Sequence, residues 1–160
     1  MEFMTQREER KVLGKDKNGE GGYLEALEKI RRNGSISGRE LEELAGKLGE
    51  RFWKALRTVT ERRVKKYVFT PSKRVLWVVI GKRRDYLVIS NFYCSCDDFY
   101  LNVVVRRNAF MCYHLLAKQL AEALATYDTY VVSDEEYEPL IREWKEIERE
   151  RQSEVLEFDS

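Results

Sequence analysis

Cysteine, histidine and proline are scarce in this chain of 160 residues, which contains three cysteines, one histidine and two prolines. The odd number of cysteines argues against a framework of disulfide bonds. No run of apolar residues approaches the roughly 20 that a membrane-spanning helix needs. The charged start, MEFMTQREERK, lacks the apolar segment of a signal peptide. We therefore expect a cytoplasmic protein, associated with the nucleoid or, in a eukaryote, nuclear, whose thiols stay reduced.

The first part of the chain has the periodicity of helices. Residues 1–22 end in the polar, glycine-rich run GKDKNGEGG, which predicts a flexible segment or linker. Apolar residues then recur at helical spacing. Ser37 and Glu40 have the spacing of a capping box, which indicates the start of a second helix, and Gly49 is expected to interrupt it. We therefore predict a helical region over residues 23–58.

The pattern changes to that of strands at about Val64. VKKYVFT, VLWVVI and YLVIS are rich in β-branched and aromatic residues and are separated by turn sequences. Three such strands predict an antiparallel meander that leads into the cysteines. Helical spacing returns near Cys112 and again after Ser133. The predicted fold class is α+β, with N-terminal helices, a three-stranded antiparallel meander within residues 59–130, and a C-terminal helix and tail over residues 131–160.

All three cysteines and the only histidine lie close together, as Cys94-x-Cys96 and Cys112-x-His114. Three thiolates and one imidazole are a recognised ligand set for structural zinc, and four protein ligands leave no open position for catalysis. Ordinary core cysteines with a hydrogen-bonded histidine are the alternative, but it does not explain the clustering. Side chains two residues apart point in different directions on a regular helix, so Cys112 must lie at a helix start. The pattern predicts one structural Zn²⁺.

The two halves of this ligand pattern resemble the SWIM zinc finger. Tyr93-Cys94-Ser95-Cys96 with Phe99 resembles the first half, and Cys112-Tyr113-His114-Leu115-Leu116-Ala117 resembles the second. Ala117 stands at the position that marks the recombination-associated branch, although Tyr113 stands where the family commonly has lysine. FTPSKRV at 69–75, with Gly81 and Tyr86, is similar to the strands that precede the motif in SWIM proteins of the Shu complex. The resemblance covers roughly residues 50–141 and implies a ββα-like SWIM zinc knuckle.

This resemblance implies an accessory protein of homologous recombination and DNA repair. Such proteins pair with a RecA/RadA-type recombinase or its paralogue and support its assembly on single-stranded DNA. The chain has no GxxxxGK[ST] phosphate-binding loop, so any ATP chemistry would belong to the partner. We therefore expect no enzymatic activity and no catalytic residues. The many charged residues and few amides are typical of thermophiles and favour a hot-environment source. The resemblance implies an archaeal member of the family.

Charge is segregated along the chain, although the formal net charge is only +1. Twelve basic residues between Arg51 and Arg84 are opposed by Glu61 alone, whereas acidic residues dominate from Glu122 onward. A basic surface would bind phosphates without sequence preference. A solvated surface, or pairing with the acidic C-terminal helix, is the alternative. The candidate nucleic-acid-binding residues are Arg62, Arg63, Lys65, Lys66, Lys73, Arg74, Lys82, Arg83, Arg84, Arg106 and Arg107.

The last predicted helix has one apolar stripe, formed by Tyr137, Leu140, Ile141 and Trp144. The stripe either closes the core or docks the protein partner, with Trp144 as an anchor.

An alternative hypothesis for the function of the chain is a DNA-binding regulator. In that case the helices of residues 23–58 and the hairpin of residues 64–80 would form a winged helix, braced by the zinc site, that binds duplex DNA with sequence preference.

Overall fold

The computed structural model describes residues 20–158, so most of the predicted N-terminal segment lies outside the described residues. Within these residues, five α-helices and five strands form a mixed α+β fold, in agreement with the predicted class. Their bounds are α1 (Glu20–Asn33), α2 (Gly38–Leu48), α3 (Glu50–Thr60), β1 (Val64–Thr70), β2 (Val75–Ile80), β3 (Asp85–Ile89), β4 (Tyr93–Cys94), α4 (Tyr113–Leu124), β5 (Asp128–Ser133) and α5 (Tyr137–Phe158). A π-helical segment (Phe99–Val105) follows β4, and a 3₁₀ turn (Asp134–Glu136) precedes α5.

Ser37, Glu40 and Gly49, from which the bounds of the N-terminal helices were predicted, have the expected local structure. The backbone N–H of Ser37 donates to the Glu40 carboxylate at 2.9 Å, which satisfies an N–H group that the helix itself leaves free. Gly49 has a φ of 58°, a left-handed conformation that glycine adopts at little cost, and it separates α2 from α3. Helix α1 begins at Glu20, three residues before the predicted boundary.

The five strands form one sheet in the order β4-β3-β2-β1-β5. Strands β1, β2, β3 and β4 pair antiparallel in succession, and β5 returns to pair parallel with β1. The predicted three-stranded meander is therefore present, but the sheet is wider than predicted. Strand β5 follows a helix and pairs with a strand far earlier in the chain, so no turn sequence next to it indicates its partner.

The sheet separates two hydrophobic clusters, because its side chains alternate between its faces. Trp77 and Val79 of β2 pack with α1, α3 and α4, whereas Leu76, the residue before Trp77, packs with the apolar stripe of α5. Helix α4 is the centre of the larger cluster, with Leu116 and Leu120 fully buried. The described residues thus form three layers: α1–α4, the sheet, and α5. Within residues 20–158, no helix has the length and apolar character needed to cross a membrane.

Candidate metal centre

The first two candidate ligands lie where β4 bends away from the sheet. Cys94 pairs with Val88 of β3, and Ser95 continues this pairing for one residue. The N–H of Ser95 donates to the carbonyl of Leu87 at 3.0 Å, and the Leu87 N–H donates to the Ser95 hydroxyl at 2.9 Å. Cys96 lies beyond this last contact, and its sulfur accepts the N–H of Phe99 at 3.3 Å. The bend brings the two thiols towards the same side, as the spacing predicted.

The second pair lies at the start of α4. Cys112 has an extended backbone, with φ −88° and ψ 169°, and caps the helix, because its sulfur accepts the N–H of Leu115 at 3.5 Å. His114 lies in the first turn. A residue in extended conformation followed by one in the helix can direct both side chains to one point, which a regular helix does not allow. The helix N-terminus also favours the negative charge that thiolates carry.

The four side chains form one compact, buried cluster. The Sγ atoms of Cys94, Cys96 and Cys112 and a ring nitrogen of His114 all lie within 4.8 Å of one another. Sulfurs around a tetrahedral zinc are about 3.8 Å apart, so the cluster is close to the size required. Each of the four residues is 3% exposed or less. The arrangement is compatible with a zinc ion and could hold a metal without any large movement.

His114 provides an independent test of whether the cluster fits a metal. Neither ring nitrogen has a hydrogen-bond partner among the described residues, although both are buried. The ring lies against Tyr86 and Tyr113, with centroid distances of 4.1 Å and 3.9 Å. An unpartnered buried polar group is costly, typically by about 1–3 kcal/mol. Coordination of a metal ion by one nitrogen would remove part of that cost, so the residues present fit the group.

Burial and mutual contact shift the pKa values of the three thiols in opposite directions. Burial raises the pKa of Cys94 well above its ordinary value. Hydrogen bonds from the thiols of Cys112 and Cys94 lower the pKa of Cys96. Without a cation, the crowded cluster therefore favours one thiolate that is stabilised by its neighbours' thiols. Binding of all three sulfurs to zinc requires them to be deprotonated, so metal binding would release protons.

Two proteins with similar sequences carry names that agree with this site. The chain is 28% identical over 112 residues to a Dictyostelium discoideum protein named zinc finger SWIM domain-containing protein 7 homolog, a match that covers 69% of this chain and 72% of that protein. It is 31% identical over 71 residues to the human zinc finger SWIM domain-containing protein 7, which covers 43% of this chain and 51% of that protein. These relatives support the resemblance of the chain to the SWIM zinc-finger family. No protein-family model and no solved structure matches the chain.

The two residues expected to support the SWIM motif both lie in the core next to the ligands. Ala117 is completely buried, one turn after His114 on α4. Phe99 is 8% exposed and packs edge-on against Tyr93, with a centroid distance of 5.8 Å. Both residues belong to the hydrophobic cluster that contains the three cysteines.

The loop after Cys96 is held by charged contacts from three other parts of the fold. Asp97 accepts hydrogen bonds from Arg84 at 3.3 Å and from Arg151 of α5 at 2.7 Å. Arg151 also donates to the Ser95 carbonyl, between the two cysteines. Asp98 accepts from Arg51 of α3 at 3.0 Å and from Asn102 at 2.6 Å. Neither Arg51 nor Arg151 was predicted to lie at the site, since both are distant from it in the chain and no local pattern marks them.

Most of the predicted nucleic-acid-binding residues have partners within the chain. Arg62 and Lys65 both pair with Asp128, and Arg74 pairs with Asp134. Arg63 forms an ion pair with Glu61 and donates a hydrogen bond to the Ile80 carbonyl, and Arg84 forms an ion pair with Asp97. Arg106 donates a hydrogen bond to Asn102. Lys66 lies over the aromatic rings of Trp77 and Tyr127. Within residues 20–158, no ion pair involves Lys73, Lys82, Arg83 or Arg107, and all four are exposed.

The basic residues do not form one patch. The turn with Lys73 joins β1 to β2, and the turn with Lys82 and Arg83 joins β2 to β3, so these turns lie at opposite ends of β2. The β1–β2 hairpin lies inside the sheet, between β3 and β5. It is therefore not the free wing that the winged-helix hypothesis requires. Trp53, which is 51% exposed on α3, was not among the predicted surface residues.

The apolar stripe of α5 packs inside the chain. Tyr137, Leu140, Ile141 and Trp144 contact the cluster of Phe69, Leu76 and Leu87 on the outer face of the sheet. Contact with a partner through this stripe stays a prediction.

A separate groove of about 710 Å³ lies between α5 and the loop that follows Cys96, which is called the metal loop below. Its lining residues include Tyr93, Phe99, Val104 and Glu148. Val104 and its neighbour Val105 are 49% and 56% exposed beside it.

Proposed function

We propose that this chain is a non-catalytic SWIM zinc-finger protein of homologous recombination and DNA repair. It would pair with a RecA/RadA-type recombinase or its paralogue and support assembly on single-stranded DNA. The observation that carries the proposal is the buried Cys₃His cluster, with its ligand atoms within 4.8 Å, in a chain similar to proteins named for a SWIM domain. One structural Zn²⁺ would be held by Cys94, Cys96, Cys112 and His114.

The burial of the ligands supports a structural rather than a catalytic role. A catalytic zinc keeps a coordination position open to water or substrate. Here four protein ligands are available and all are nearly inaccessible to solvent. The metal would therefore stabilise the junction between β4 and α4. Purified protein should contain one zinc per chain, and the Cys96→Ser and His114→Ala variants should contain less.

The groove between the metal loop and α5 supports a protein partner. Val104 and Val105 are exposed apolar side chains at its margin, and such surfaces are typical of interaction sites. The test is co-purification with the RecA/RadA-family recombinase or its paralogue from the source cell. Val104→Asp should reduce complex formation, whereas Thr60→Asp, at an exposed position on α3 outside the groove, should not. Equal binding by wild type and Val104→Asp would exclude this surface, and a zinc-loaded protein with no recombinase partner would refute the function.

Direct contact with DNA would use the exposed cations that have no ion pair within the described residues. Lys82 and Arg83 are adjacent on one turn and are the best candidates. Lys82→Gln combined with Arg83→Gln should weaken binding to a single-stranded oligonucleotide and should lower the salt slope by about 1.4, since each phosphate contact contributes about 0.7. Lys145→Gln with Arg149→Gln makes the same change in net charge on α5 and should have no such effect. Fluorescence anisotropy at several salt concentrations measures both.

A further inference from the structure

Strand β5 is an open edge of the sheet. It pairs with β1 alone and ends the strand order β4-β3-β2-β1-β5. Within residues 20–158, no strand lies on its outer side. Because backbone groups alternate in direction along a strand, part of the N–H and C=O groups of these six residues point away from β1. Such a row of unpaired groups is a template for another strand.

The side chains on this edge are apolar and exposed. Val131 is 68% exposed, the highest value among the exposed large hydrophobic residues of the described chain, and Tyr130 is 44% exposed. Open edge strands are usually protected from pairing with another chain by a lysine, a proline or a bulge, or because the strand is very short. The strand, DTYVVS, has neither lysine nor proline, and its register with β1 is continuous over all six residues.

The charges at both ends of β5 are used within the chain. Asp128 accepts hydrogen bonds from Arg62 at 2.8 Å and from Lys65. Beyond the other end, Asp134 accepts from the Ser72 hydroxyl at 2.6 Å and lies 4.0 Å from Arg74. The edge therefore offers no free charge that would select an oppositely charged foreign strand. In an antiparallel pair of identical strands centred on Val131, Asp128 would lie opposite Asp134 of the second copy, but each carboxylate is already paired with cations of its own chain, which weakens the repulsion.

We propose that two copies of the chain pair through the outer edges of β5, antiparallel and about a twofold axis at Val131. The two five-stranded sheets would then form one continuous sheet. Residues directly opposite one another share a face of a sheet. The axis at Val131 satisfies this condition, since it places Val131 opposite Val131, Tyr130 opposite Val132 and Thr129 opposite Ser133. The pairing would cover the exposed valine and the open backbone groups together.

The test is the oligomeric state of the purified, zinc-loaded chain without any recombinase, measured by sedimentation velocity over a range of concentrations. Wild type should be a dimer. Val131→Lys places two like charges opposite each other at the axis and should be a monomer at the same concentrations. Val105→Lys, an exposed valine away from this edge, should remain a dimer. Circular dichroism shows whether both variants are folded.

Three results would overturn the proposal. One is a monomeric wild type at every concentration, and another is a dimer that persists in Val131→Lys. The third is a wild type that is monomeric on its own but co-purifies with another protein, and that loses this protein when Val131 is changed. That result would show that β5 pairs with a strand of a different protein. Hydrogen exchange gives a second readout, because those amides of residues 129–133 that point away from β1 should become more protected as concentration rises. None of these measurements depends on the recombination function.

Discussion

Replacing Arg151 by glutamine tests whether α5 helps to hold the metal loop. The guanidinium donates to Asp97 at 2.7 Å and to the Ser95 carbonyl, which lies between the two cysteines of β4. The Arg151 side chain is only 15% exposed, so its position is well defined by its neighbours. We expect Arg151→Gln to loosen the loop and to weaken zinc binding, without removing a ligand.

The size of the effect follows from these contacts. A hydrogen bond to a charged group contributes about 1.5–3 kcal/mol. Asp97 is 56% exposed and keeps its contact with Arg84, so solvent screening and the remaining partner reduce the loss. We expect a net loss of about 1–2 kcal/mol, which raises the zinc dissociation constant roughly 5- to 30-fold, because about 1.4 kcal/mol corresponds to a factor of ten. Residues that support metal ligands typically have effects of about this size.

Competition with a chromophoric chelator measures this constant. Arg149→Gln is the matched control, since Arg149 is exposed on the same helix and the net charge changes equally. A role of Arg151 in holding the loop is refuted if Arg151→Gln binds zinc as tightly as wild type, or if Arg149→Gln weakens binding to the same extent. A cycle with Asp97→Asn gives the coupling energy between the two side chains, which should be close to zero if they act independently.

Three further perturbations test other parts of the structure. Removal of the metal by a chelator should lower the melting temperature and make the thiols accessible to a thiol reagent, and unchanged values would contradict a structural metal. Arg62 and Lys65 lower the pKa of Asp128 to about 2, so the stability from this carboxylate is present above its unfolded pKa of about 3.9 and is lost as the pH falls through about 2. Asp128→Asn should flatten this part of the stability–pH curve, and parallel curves for both proteins would disprove the pairing. Ala117→Leu, at a fully buried site, should destabilise the fold by about 1–3 kcal/mol in denaturant unfolding, and a neutral effect would show unfilled space there.

The metal cluster could be predicted from the sequence because its geometry is local. Each half contributes two residues that are two positions apart, and each half needs one specific local structure. A bend after β4 serves Cys94 and Cys96, and an extended residue before α4 serves Cys112 and His114. The capping residue Ser37 and the interruption at Gly49 were predictable for the same reason. In all these cases the deciding contacts lie within a few residues.

The remaining contacts join residues that are far apart in the chain. Arg62 and Asp128 are 66 positions apart, and Arg151 and Asp97 are 54 apart. The parallel pairing of β5 with β1 has the same character, since it depends on the path of the chain through α4. Charge segregation did indicate that basic residues could pair with the acidic C-terminal part. The partners seen, Asp128 and Asp134, precede α5, whereas the sequence suggested the helix itself.

The two edges of the sheet differ in a way that limits how copies of the chain can assemble. Strand β4 has only two residues, and beyond it the backbone turns into the metal loop, so this edge is too short to accept another strand. Sheet growth can therefore proceed from one side only. Once two β5 strands have met, no open edge remains, and the assembly is closed at two copies instead of extending into a fibre. The bend that carries Cys94 and Cys96 therefore limits growth of the sheet to the β5 side.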